Sequence, residues 1–123
     1  MIEGIGVDVV EIARLRQTIE RWGETFLQRI LTEKELSYVH SKQDSLPHIA
    51  GRFAVKEAVS KALATGWSGG FRWKDVEVRN DVAGKPSVEV FGAVKEALVH
   101  RRVHVSLSHA EHVVVGFAVI EHL

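Results

Sequence analysis

Four segments carry residue types that could do chemistry. The first is Gly4-Ile5-Gly6-Val7-Asp8-Val9-Val10-Glu11. It sets the Asp8 carboxylate where a strand gives way to a helix. A rigid element aims the group at its end, which suits a ligand-binding or metal-binding carboxylate. An Asp at such a point serves equally as an ordinary cap or turn residue. Glu11, one helical turn on, is a second acid or a first-turn Glu favoured by the helix dipole. The second segment is Gly51-Arg52-Phe53-Ala54-Val55-Lys56-Glu57-Ala58-Val59-Ser60-Lys61. Phe53, Glu57 and Lys61 share one helix face, and Ser60 lies one turn after Lys56. Glu57 four residues before Lys61 is also the favoured order for an exposed ion pair, worth only about 0.2–0.5 kcal/mol. Moreover, Ala-Val-Lys-Glu-Ala occurs twice, at 54–58 and 93–97. The pentapeptide alone therefore carries little information. The second copy lacks the preceding Arg-Phe and reads as a surface helix.

The third segment is Ser106-Leu107-Ser108-His109. His109 follows an alternating strand and suits a phosphate or a ligand base; it also fits a turn histidine titrating near pH ~6.5. The fourth is Gly84-Lys85-Pro86, in which a rigid turn can present a lysine to an anion or simply reverse the chain. No histidines have convincing metal-ligand spacing. His104 and His109 fall on opposite faces of a strand, and His109 and His112 span a turn.

The elements that must position these groups follow from periodicity. Residues 2–8 alternate as a strand. Ile12, Leu15, Ile19 and Trp22 line one face of a helix that Gly23 stops. Phe26, Leu27, Ile30 and Leu31 suggest a short helix. Thr32-Glu33-Lys34-Glu35 is a capping box opening a helix to Ser41. Residues 42–47 form a loop broken at Pro47, and 48–64 the longest helix, rich in good formers. Strands follow at 73–78 and 88–91 around a turn at 80–86. Residues 93–101 read as a helix and 103–108 as a half-buried strand. The apolar run 113–120 reads as a strand covered on both faces. This order gives an α+β fold, a mainly antiparallel sheet packed on a helical layer, with 1–123 as one domain.

The bulk composition excludes several function classes. There is no cysteine among 123 residues, so disulfides, thiolate metal sites and cysteine nucleophiles are absent. Sixteen basic and sixteen acidic residues give zero formal net charge, and no nucleic-acid partner is expected. No stretch reads as a signal peptide or a membrane helix. A soluble, cytoplasmic protein is expected.

Taken together, 4–14, Leu-Thr-Glu-Lys-Glu-Leu at 31–36, Arg-Phe-Ala-Val-Lys-Glu-Ala-Val-Ser-Lys-Ala-Leu at 52–63, Gly-Lys-Pro at 84–86 and Ser-Leu-Ser-His at 106–109 resemble the holo-acyl-carrier-protein synthases. These are the small, single-domain phosphopantetheinyl transferases. The resemblance covers nearly the whole chain. It implies transfer of the 4′-phosphopantetheine arm of coenzyme A to a serine of apo-acyl carrier protein, releasing 3′,5′-ADP, in support of fatty acid biosynthesis. It implies Mg2+ (or Mn2+) on Asp8 and Glu57, and Lys61 on a phosphate. Lys56, Ser60, Gly84, Lys85, Pro86, Ser108 and His109 match positions around coenzyme A. It further implies a homotrimer with coenzyme A in clefts between subunits, and an acidic carrier met by Arg14 and Arg21, seven apart on one helix face. Arg16 and Arg29 are nearby alternatives, and the general base stays open between Glu57 and a metal-bound water. Two local departures stand out: no Asp follows Ser-Leu-Ser-His, and 67–70 is Gly-rich. A non-catalytic trimeric binding module and a different metal-dependent phosphotransfer or hydrolysis enzyme are the competing classes.

Overall fold

The computed structural model describes residues 1–63 and 69–123. Strand β1 (Ile2–Glu11) leads into helices α1 (Ile12–Ile30), α2 (Glu33–His40) and α3 (Leu46–Leu63). A 3-10 turn at Trp73–Asp75 precedes a hairpin of β2 (Val76–Asn80) and β3 (Pro86–Val90). Helix α4 (Gly92–Ala97) and strands β4 (Arg101–His109) and β5 (Val113–His122) complete the chain. β5 lies between β1 and β4 and is antiparallel to both, while β2 and β3 form a separate antiparallel ribbon. This is the expected α+β class.

Helix α3 lies directly on the three-stranded sheet, and small residues on both sides allow it. Ala50, Ala54, Ala58 and Ala62 recur every fourth residue and are buried. A Cβ on Gly6 would strike the carbonyl oxygen of Ala58, one on Gly4 that of Ala62, and one on Gly116 the backbone of Ala54. Backbone therefore meets backbone along this seam. Strand alternation then puts Asp8, two residues after Gly6, on the helix-facing side of β1. Two apolar clusters flank the seam. One joins Val55, Val59 and Leu63 to Val76, Val78 and Ile120. The other joins Ala50 and Ala54 to Leu15, Leu27, Ile30 and Val39.

Several local expectations are corrected. β1 runs to Glu11, because its pairing with β5 continues to Glu11 opposite Val113; Asp8 is therefore inside the strand, not at its end. Gly23 breaks α1 with φ of 59° but the chain resumes as helix at once. Trp22 stands beside that kink and is 58% exposed, outside the buried face of Ile12, Leu15 and Ile19. Pro47 lies in the first turn of α3, where its missing N–H costs no helical bond. α4 ends at Ala97; His100 adopts φ of 62°, and Arg101 already pairs with His122. β5 is buried on one face only, at Val114, Ala118 and Ile120, and Phe117 on the other face is 39% exposed. The expected helix end at Ala64 and the turn at 65–68 lie outside the described residues. The capping box forms as expected: Thr32 Oγ1 accepts from the Glu35 N–H, and the Glu35 carboxylate accepts from the Thr32 N–H at 2.9 Å.

The seam generates a stability prediction. Gly6→Ala should destabilise by about 1–3 kcal/mol or more, because the backbone of α3 must move. Gly70→Ala has open space around it and should stay within about 0.5 kcal/mol of the parent. Urea unfolding of both variants checks this, and equal effects would refute the seam.

Candidate active site

Asp8, Glu57 and Lys61 meet at the β1 edge of the sheet. Lys61 Nζ donates to Asp8 Oδ1 at 2.9 Å and to the carbonyl oxygen of Val7 at 3.1 Å. The Asp8 side chain is 17% exposed and that of Lys61 53%. Glu57 sits one turn before Lys61 and is half-buried. Burial holds its carboxyl above the usual carboxylate range, the nearby Asp8 charge adds to this, and Lys61 partly opposes it. Two carboxylates thus converge where their charges repel. Lys61 gains basicity from Asp8, through the hydrogen bond first and the charge second.

A cleft of about 330 Å3 opens here, lined by Asp8, Glu57, Glu11, Arg14, Phe26 and Phe53. Among the described residues no group of three or more His, Cys, Asp or Glu could hold a metal ion. Two converging carboxylates in an open cleft fit Mg2+, which takes one or two protein carboxylates and completes its shell with water and phosphate oxygens. The Lys61 ammonium already places a positive charge on Asp8. Arg14, at the mouth, is 3.9 Å from Glu11 and largely exposed. Arg21, one heptad on, lies over the Trp22 ring at 5.2 Å.

The remaining expected ligand residues lie elsewhere. Gly84 and His109 line a second cleft of about 470 Å3 with Arg52, His48, Tyr38 and Asn80. Arg52 is only 4% exposed. Its guanidinium lies 4.1 Å over Tyr38, and Nη2 donates to Asn80 Oδ1 at 2.8 Å. Its Nε has no partner among the described residues. His48 is held below its ordinary value, by burial first and by Lys42 and Arg52 next. Arg52 thus brings one cation with a buried, unpartnered Nε to this cleft, and Asp44 on its wall sets a carboxylate nearby. Pro86 opens β3, and the Lys85 side chain is exposed while its N–H donates to Asp81 Oδ1 at 2.8 Å. Ser108 is exposed on the side of β4 away from α3, and half-buried Ser60 lines neither cleft. Asp8 pairs with Gly116 and Gly116 with Leu107, so the two clefts flank opposite edges of the sheet. One chain therefore does not bring its two groups of site residues together. Arg52 stands in its sequence motif with no expected role. Its one sequence signal is a cation beside Phe53 in an otherwise apolar stretch.

Lys56 is a correction. It is 0% exposed. Its ammonium donates to the carbonyl oxygen of Ile30 and to Glu35 Oε1, each at 2.6 Å, and to the carbonyl oxygen of Trp73 at 3.0 Å. With all three donors engaged in the core, it has none to offer coenzyme A. Burial pulls its pKa below the ordinary lysine value, and Glu35 opposes that shift.

The family model of the 4′-phosphopantetheinyl transferase superfamily matches residues 4–118. A holo-[acyl-carrier-protein] synthase of Chlorobaculum tepidum is 47% identical over 117 residues, covering 95% of this chain and 97% of that protein. Another, from Protochlamydia amoebophila, is 42% identical over 97% of this chain and 98% of its own. The crystal structure of the Neisseria meningitidis holo-[acyl-carrier-protein] synthase superposes with a TM-score of 0.89 at 35% identity, covering 98% of this chain and 99% of that one. That from Bacillus anthracis, in complex with CoA (3′,5′-ADP), gives 0.83 at 36% identity over 100% and 99%. The chain belongs to the holo-[acyl-carrier-protein] synthases, within the 4′-phosphopantetheinyl transferase superfamily.

Proposed function

We propose that this chain moves the 4′-phosphopantetheine arm of coenzyme A onto a serine of an apo-acyl carrier protein, in support of fatty acid biosynthesis. The serine oxygen attacks the phosphorus that carries the pantetheine. The bond from that phosphorus to the bridging oxygen breaks, 3′,5′-ADP leaves, and the hydroxyl proton passes to Glu57 or to water. The observation that carries this reading is the convergence of Asp8 and Glu57 beside Lys61 in one cleft.

Asp8 and Glu57 would hold a Mg2+ ion, with Mn2+ as a substitute of the same coordination type. When bound, the ion neutralises diphosphate charge. Lys61 has a flexible stem, and its ammonium can turn from Asp8 to a phosphate oxygen. Phe26 and Phe53 give the cleft an apolar wall against which a substrate can be held. Positioning and charge neutralisation carry such a reaction. Arg14 and Arg21 are exposed beside and beyond the cleft mouth and suit an acidic carrier.

The active unit in this reading is a homotrimer of chains that each act as one domain over 1–123. Ile5, Val7 and Val9 of β1 are 62%, 50% and 59% exposed, and Phe117 joins them on the open face of the sheet. Such a contiguous apolar face marks an interaction site. A head-to-tail ring would set the Asp8 edge of one chain against the Arg52 and His109 edge of the next. Coenzyme A would then lie between subunits, with Gly84, Lys85, Pro86, Ser108 and His109 as its candidate contacts from the second cleft and its rim. Ser60 remains a candidate from α3. Among the described residues no helix is long and apolar enough to cross a membrane, and the absence of cysteine suits a reducing cytoplasm.

Two tests follow. Incubated with coenzyme A, Mg2+ and apo-carrier, the protein should add a phosphopantetheine mass to the carrier, and 3′,5′-ADP should appear. Asp8→Asn and Glu57→Gln should each lower kcat on the order of 100-fold or more. No mass gain with a competent carrier would overturn the reading, and wild-type rates in both variants would overturn the site. In light scattering the parent should weigh three chains, whereas Phe117→Asp should weigh one, and a monomeric parent would refute the ring.

A further inference from the structure

Among the described residues one buried cation belongs to neither cleft. Lys56 is wholly buried, yet its ammonium reaches three elements at once: the end of α1 through Ile30, α2 through Glu35, and the 3-10 turn through Trp73. Glu35, itself 1% exposed, spreads the connection further. Its Oε1 also accepts from the Thr32 N–H and its Oε2 from the Val78 N–H at 2.9 Å. Thr32 Oγ1 then donates to Glu77 Oε2 at 2.6 Å. Five elements are tied through one pair of side chains.

Removing two charges from water is expensive, and apolar replacements of such pairs often hold a fold as well or better. Stability is therefore a weak reason for this pair. Its placement offers a better one. Lys56 immediately precedes Glu57 on α3. Trp73, whose carbonyl oxygen Lys56 binds, stacks its ring on Phe53 at 5.2 Å. Phe53 lies one turn before Glu57 and shares the wall of its cleft. The Ala–Gly seam sets how closely α3 approaches the sheet, and the apolar packing beside it is not directional. Three directional hydrogen bonds from Lys56 resist rotation about the helix axis.

We propose that Lys56, paired with Glu35, is a positioning residue that fixes the rotation of α3 and so holds Glu57 towards Asp8 for a shared divalent cation. This rests on the function proposed above but is tested separately. The paired variant Lys56→Met/Glu35→Met removes both charges together and leaves neither stranded. Each measurement is made at a temperature where circular dichroism shows the variant folded. Mn2+ alone is the probe, followed by electron paramagnetic resonance. The variant should bind Mn2+ about 10-fold to 100-fold more weakly, the usual effect of losing an outer support of a metal ligand. In the transfer assay kcat should fall while KM for the carrier stays the same, because α1 keeps Arg14 and Arg21. Wild-type Mn2+ affinity and kcat in the folded variant would overturn the proposal. If the parent binds Mn2+ but transfers nothing, the proposed function fails while the Mn2+ comparison still decides the role of Lys56.

Discussion

Helix α3 can rest on the sheet because Ala54, Ala58 and Ala62 meet Gly116, Gly6 and Gly4 backbone to backbone. The distance from α3 to β1, and with it that from Lys61 to Asp8, depends on that contact. Were Gly6 any other residue, the carbonyl oxygen of Ala58 would have to withdraw, and Glu57 would move with it. The close approach also explains why Asp8 reaches Lys61 from inside a strand, with no loop to carry it. A side chain on a core element is well aimed but has little freedom to adjust. In the proposed reading, substrate fit then falls to the exposed side chains around the cleft, Lys61 and Arg14 among them.

Charge is distributed around this seam by depth. Lys56 and Glu35 are sealed in the core, with their donors and acceptors satisfied by backbone and by each other. Asp8 and Glu57 stand at intermediate depth, where like charges repel but are not fully screened. Arg14 and Arg21 lie at the surface, where water reduces each to a weak attraction. In the proposed reading the inner pair orders the helix, the middle pair would hold a cation, and the outer cations would meet an acidic partner.

Much of this was legible in the sequence. The Thr32 box formed because its signal is local. The alternation of β1 and β4 was visible because one face of each meets the core. What failed was non-local. β1 outran its expected end because β5 supplied a partner as far as Val113, which no single-segment pattern reveals. Trp22 fitted the apolar period yet stands exposed beside a kink whose direction periodicity does not encode. The burial of Lys56 escaped notice because lysine in an amphipathic-looking run is expected to be wet, and its acceptors come from 17 to 26 positions away. The division of site residues between two edges escaped for the same reason: a motif list gives order along the chain, not side of the sheet.

The repeated pentapeptide offers a last contrast. Lys56 and Lys95 have the same immediate neighbours in the chain, yet Lys56 is sealed and Lys95 is open to solvent. An amine-directed acylating reagent should therefore discriminate between two chemically identical peptide contexts. Lys95 reacts at once, whereas Lys56 reacts only when the packing between α3 and its neighbours opens. The ratio of the two labels is an internal clock for that opening, carried by the native chain without any introduced probe.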